Sequence, residues 1–140
     1  MMKSVYPVFF TITDTIILVE VPDLQILTEG NDMSDAIKMT RDAIELKCVS
    51  MEDDKIDIPL PSNINSLDIN NGTFAEEGDT VISLVDVDSA EYRRKIDTKT
   101  VRKNVTIPSW LNYEAEHAGI NVSRVLQEAL MDILKVKRTI

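Results

Sequence analysis

Near the N-terminus two mostly apolar stretches, SVYPVFFTI at 4–12 and IILVEVP at 16–22, are rich in β-branched and aromatic residues. Such enrichment predicts strands, and Thr13-Asp14-Thr15 between them predicts the turn of an antiparallel hairpin. A third extended piece at 24–28 precedes Glu29-Gly30-Asn31. Asp32 then caps a helix whose apolar stripe is Met33, Ala36, Ile37, Thr40, Ile44 and Cys48, with Asp35, Lys38, Arg41, Asp42 and Glu45 expected on the solvent face. Residues 51–78 lose that periodicity, turn acidic and contain Pro59, Pro61 and Asn70-Asn71-Gly72, so they read as a loop or irregular arm. A strand at 80–87 follows, and Asp88-Ser89-Ala90-Glu91 has the form of a capping box opening a brief helix. The order β-β-β-α-β predicts an α+β layer with one helix on one face.

Period-two alternation appears in VRKNVTIP, residues 101–108. Val101, Val105 and Ile107 fall on one face, and Arg102, Asn104 and Thr106 on the other, where they form a row able to hydrogen-bond to base edges. Lys103 lies on the apolar face by parity. One such strand cannot survive alone in water. Pairing with its twin from a second chain would bury the apolar face and make a ribbon that fits the DNA major groove. Pro108 is suited to a first helical turn, Gly119 to the C′ position of that helix, and Asn121 to the cap of a second. Trp110 reads as core at the start of the first helix. The second carries Val125, Leu126, Ala129, Leu130, Ile133 and Leu134 in an i, i+1, i+4, i+5 stripe. With Val105 and Ile107, this stripe is the expected dimer core.

Charge divides the chain at the same place. Residues 1–97 carry net −12 and residues 98–140 net +3, within an overall −9. Nucleic-acid binding is therefore expected only at the C-terminal end, near Lys99, Arg102, Lys103 and Arg124, and two domains are expected, 1–97 and 98–140. The smaller should fold only as a dimer. One cysteine, no apolar run long enough for a membrane span and no signal-peptide pattern make the expected compartment cytoplasmic. Cys48, closing the helical stripe, reads as a buried structural thiol.

The chemistry of an enzyme is not expected. Two-metal nucleic-acid cleavage needs three or four converging carboxylates, yet the strand at 5–12 has none, and Glu52, Asp53 and Asp54 lie consecutively where they would point in different directions. His117 is the sole histidine and is read as surface structure, so no metal site, nucleophile–base pair or cofactor is expected. The four glycines form no phosphate loop. Runs such as Glu52 to Asp54 are ordinarily solvated faces, and their functional alternative is capture of a basic partner.

Residues 101–134 resemble the ribbon-helix-helix family. That resemblance implies base reading by Arg102, Asn104 and Thr106, and phosphate contact at Lys99 and Lys103 and at the start of the second helix, Asn121, Val122 and Ser123. With VPDL at 21–24, Thr28-Glu29-Gly30, the helix AIKMTRDAIEL and the strand GDTVISLV, nearly the whole chain resembles the HicB-type antitoxins. Many members have Pro-Gly-Cys after VPDL, where this chain has Gln25-Ile26-Leu27. The resemblance implies a partial ribonuclease-H-like N-terminal fold that neutralises a small basic HicA-type mRNA-cleaving toxin. It also implies a homodimeric C-terminal half that binds operator DNA and represses the operon, the whole forming a toxin–antitoxin heterotetramer with no membrane partner. Glu52, Asp53 and Asp54 are the candidate toxin contacts. The rival reading is a metabolite-responsive ribbon-helix-helix regulator without a toxin partner.

Overall fold

The computed structural model describes residues 3–136. It divides into two units, 1–96 and 97–140.

In the first unit, β1 (Lys3–Ile12), β2 (Ile17–Val21), β3 (Ile26–Gly30) and β4 (Asp79–Asp88) form an antiparallel sheet in the order β3-β2-β1-β4. β1 is central. It pairs with β4 along its full length, from Lys3 opposite Asp88 to Ile12 opposite Asp79, and with β2 from Phe9 opposite Glu20 to Ile12 opposite Ile17. The tight β1–β2 turn is held by Thr13, whose hydroxyl donates to the Ile16 carbonyl at 2.6 Å and accepts from the Ile16 N–H at 3.0 Å. The third strand begins two residues later than its expected start at 24. Pro22–Leu24 forms a 3-10 turn ended by Gln25 in the left-handed region (φ 54°), and Leu24 is buried in that turn.

Helix α1 (Met33–Asp53) starts where the cap was expected, the Asp32 carboxylate accepting from the Asp35 N–H at 2.8 Å. Ala36, Thr40, Ile44 and Cys48 recur every four residues and are buried, packing with Tyr6, Val8, Phe10, Val19, Val21, Val85 and Val87. Gly30 is required by how closely this helix approaches the sheet, since a Cβ there would lie 2.3 Å from the Ala36 nitrogen. Cys48 is the buried thiol expected. Burial, with help from the carboxylates of Glu52 and Glu45, pushes its pKa up to about 11.

Two expectations for this helix are corrected. It continues through Asp53, so Met51, Glu52 and Asp53 are helical and not part of the arm. Its end is a Schellman turn, Ile56 N–H to Met51 carbonyl at 2.9 Å and Lys55 N–H to Glu52 carbonyl at 3.1 Å, with Lys55 taking the left-handed position that glycine ordinarily marks. Glu45, expected in solvent, is only 8% exposed.

The irregular arm is tied to the sheet. Pro59 accepts from the Tyr6 hydroxyl at 2.6 Å, the Ser62 N–H donates to Asp23 at 2.8 Å, and Thr73 donates twice to Glu20 at 2.8 Å. Phe9, on the sheet face away from α1, is buried, and Gly72 of the arm lies against its ring. After β4, α2 (Ser89–Ile96) starts at the expected cap, with Asp88 accepting from the Glu91 N–H at 3.0 Å.

In the second unit, residues 97–108 have neither helix nor ladder, so the strand expected at 101–107 is not formed within the single chain. A strand is defined by its partner, and among the described residues no strand pairs with this segment. Helix α3 (Ser109–His117) follows Pro108, and α4 (Val122–Leu134) follows the Asn121 cap. The connection is a second Schellman turn: Ile120 N–H to Ala115 carbonyl at 3.0 Å, Gly119 N–H to Glu116 carbonyl at 3.1 Å, with Gly119 at φ 69°.

Candidate functional site

The C-terminal unit presents apolar side chains that the chain does not bury. Trp110, expected as core, is 65% exposed, and Val105, Ile107, Val125, Ala129, Leu130, Ile133 and Leu134 are also exposed, Leu126 being half-buried. No residue of α3 or α4 is buried. Both helices are nevertheless well terminated, and α4 has its apolar stripe on one side and an Arg124–Glu128 ion pair at 3.0 Å elsewhere on its surface. Local hydrogen bonds account for the helices. Among the described residues, Val125, Ala129, Leu130, Ile133 and Leu134 of the stripe are left exposed and only Leu126 is half-buried.

Arg102, Asn104, Thr106, Lys99 and Lys103 are all exposed on the segment before α3. Asn121 spends its side-chain oxygen on the Arg124 N–H at 3.1 Å, leaving Val122 and Ser123 as the first residues of α4. Their N–H groups belong to the first turn, which has no preceding carbonyls to bond, and they sit at the positive end of the helix dipole. His117 is exposed, its ring 4.0 Å from that of Tyr113 and its Nδ1 3.1 Å from the Tyr113 carbonyl.

In the N-terminal unit, Glu52 and Asp53 do not point in different directions. Both converge on Arg93 of α2, whose Nη2 lies 3.1 Å from Glu52 and whose Nη1 lies 2.9 Å from Asp53. Ser89 adds a hydrogen bond to Glu52 at 3.0 Å. Burial would raise the Glu52 pKa, but hydrogen bonds, those from Ser89 and Arg93 among them, hold the carboxyl below its ordinary value. These two carboxylates therefore join α1 to α2, while Asp54 stays exposed at the helix end.

A cleft of about 540 Å³ opens where the start of β1 and the end of β4 meet α1 and α2. Arg41 lies at its wall, donating to the Asp86 carbonyl at 3.0 Å and to the Asp86 carboxylate at 2.9 Å. Lys95 pairs with Glu91 at 3.6 Å. Glu45 lines the same cleft, and no hydrogen bond or ion pair joins its carboxylate to another described residue. Burial raises its pKa, opposed mainly by the charge of Lys95. Sequence reading missed this residue because it is charged and follows Ile44. The available signal was its row on the helix, Ile37, Arg41, Glu45 and Val49, in which Val49 is buried.

Among the described residues, no three histidine, cysteine, aspartate or glutamate side chains gather where a metal ion could be held. No helix among them is long and apolar enough to cross a membrane.

Comparison with known proteins covers both units. No curated protein sequence matches the chain. A solved toxin–antitoxin complex from Streptococcus pneumoniae contains a chain 28% identical, over 94% of this chain and 99% of that one, with a TM-score of 0.59. The crystal structure of the Burkholderia pseudomallei antitoxin HicB is 25% identical over 94% of this chain and 97% of that one, with a TM-score of 0.51. The family model of HicB-like antitoxins of bacterial toxin–antitoxin systems matches residues 6–128, from β1 into α4. The chain thus belongs to the HicB-like antitoxin family of bacterial toxin–antitoxin systems.

Proposed function

We propose that this antitoxin has two separable activities. Residues 1–97, a partial ribonuclease-H-like layer, bind and neutralise a small basic HicA-type mRNA-cleaving toxin without catalysis of their own. Residues 98–140 pair with a second copy as a ribbon-helix-helix and repress the operon at its operator DNA. The observation that carries the reading is the family match running through both units, joined to a C-terminal unit that leaves most of its described apolar stripe exposed. A folded module that leaves Val125, Leu130 and Ile133 exposed is marginal alone, and twofold pairing across α4 is the economical way to cover them. The pairing would also supply residues 101–107 with the antiparallel neighbour they lack, turning Arg102, Asn104 and Thr106 outward together. The excess of negative charge in residues 1–97 favours a cationic protein partner over the metabolite of the rival reading, since a toxin that grips RNA phosphates is itself basic.

The test is coexpression with the toxin encoded in the same operon. Full-length protein should restore growth and copurify with the toxin, and a fragment ending at Asp97 should still do so, more weakly if paired copies contribute avidity. Growth arrest in the presence of soluble, folded full-length protein would refute the antitoxin reading.

A further inference from the structure

Glu45 is an anomaly in the fold. A glutamate that is only 8% exposed as a residue ordinarily has an internal cation or several donors, yet the Glu45 carboxylate has no hydrogen bond among the described residues and opens to the cleft. The nearby charges are already engaged with one another. Arg41 is held by Asp86, Lys95 lies 3.6 Å from Glu91, and Asp88 caps the Glu91 N–H while standing opposite Lys3 across the β1–β4 ladder. Taken pairwise these charges cancel, and Glu45 is left as a net negative charge in the wall of an open cleft of about 540 Å³. That volume admits a long side chain together with the backbone that carries it.

We propose that this cleft receives an arginine side chain of the basic protein partner, with the Glu45 carboxylate accepting its guanidinium. The proposal rests on the reading that residues 1–97 hold a basic toxin, and it names where one toxin side chain enters. Arginine suits the site better than lysine: its planar fork satisfies both carboxylate oxygens at once, and it is the more weakly hydrated cation, so it loses less on entering a partly buried cleft. Binding would then give the half-desolvated Glu45 carboxylate, whose pKa burial raises, the hydrogen-bonded cation it lacks among the described residues. Glu45 is thus expected to act oppositely in the two states, unfavourable in the free antitoxin and favourable in the complex.

The experiment uses full-length protein and the variant Glu45→Gln, with Glu29→Gln as a control for net charge. The melting temperature of free Glu45→Gln at neutral pH should equal or exceed that of wild type, while its affinity for the toxin falls about tenfold to a hundredfold, the range of a lost charge-assisted pair. Glu29→Gln should change affinity much less. A second measurement needs no toxin: titration with N-acetyl-arginine amide, followed by NMR, should give saturable shifts at Lys3, Arg41, Asp88 and Lys95 in wild type that Glu45→Gln abolishes, and N-acetyl-lysine amide should give weaker ones. A toxin complex that forms equally well with Glu45→Gln overturns the cleft assignment and leaves the antitoxin reading standing. A lowered melting temperature of the free variant would show an internal partner for Glu45 and overturn it too. If wild type binds no toxin, the antitoxin reading fails, and the arginine titration alone then decides the cleft: absence of saturable shifts overturns it.

Discussion

Arg93 reaches from α2 to Glu52 in the last turn of α1, closing at 3.1 Å across 41 residues of sequence, and its other Nη takes Asp53 at 2.9 Å. A fork bridging two carboxylates on one helix end holds α2 by its side chain, beside the Ser89–Glu52 hydrogen bond. The Glu52 carboxyl titrates below its ordinary value, so the folded state binds fewer protons than the unfolded one between those two values. Stability from this contact is therefore complete above the ordinary carboxylate pKa and is lost as pH falls through the lowered one. Arg93→Ala should speed hydrogen exchange of the α2 amides at neutral pH and make acid unfolding less steep. Unchanged exchange in α2 would mean that its packing, rather than this fork, holds it.

Gly30 tests the packing of α1 on the sheet. The Cβ of an alanine would stand 2.3 Å from the Ala36 nitrogen and 2.5 Å from its Cα, so backbone must move. Gly30→Ala is expected to destabilise by about 3 kcal/mol or more, at the upper end of overpacking effects. Urea unfolding monitored by circular dichroism measures it directly.

Leu130 lies in the exposed apolar stripe of α4. If paired copies bury that stripe, Leu130→Ala should cost ~2–5 kcal/mol per side chain removed and give monomers that no longer bind operator. Sedimentation and operator binding are to be measured on the same sample. A variant that remains dimeric and binds normally contradicts the proposed core.

Arg102 and Asn104 should differ from Lys99 in kind. Alanine at either of the first two is expected to cost ~1–3 kcal/mol per half-site and to relax preference at one base position. Lys99→Ala should weaken operator and scrambled duplex alike and lower the salt slope by about one. Equal losses on both duplexes for Arg102→Ala and Asn104→Ala would remove the base-reading assignment.

Much of the architecture was legible along the chain because its determinants are local. Runs of β-branched and aromatic residues marked β1 and β2, and a mostly apolar run at 81–85 marked β4. Asp32, Asp88 and Asn121 cap helices by bonds to N–H groups three residues ahead, and Gly119 ends α3 through its own positive φ. Such signals act within one turn, where spacing in sequence is spacing in space. The end of α1 escaped because Lys55 occupies a left-handed position that sequence reading assigns to glycine. Tertiary structure alone decided the rest. Glu52 and Asp53 converge because β4 returns the chain so that α2 lies beside the end of α1, and Glu45 is buried because α2 and the sheet edge close over a row that a lone helix would show to water. Burial of a charge depends on what other elements arrive at it, and no periodicity within one helix records that arrival.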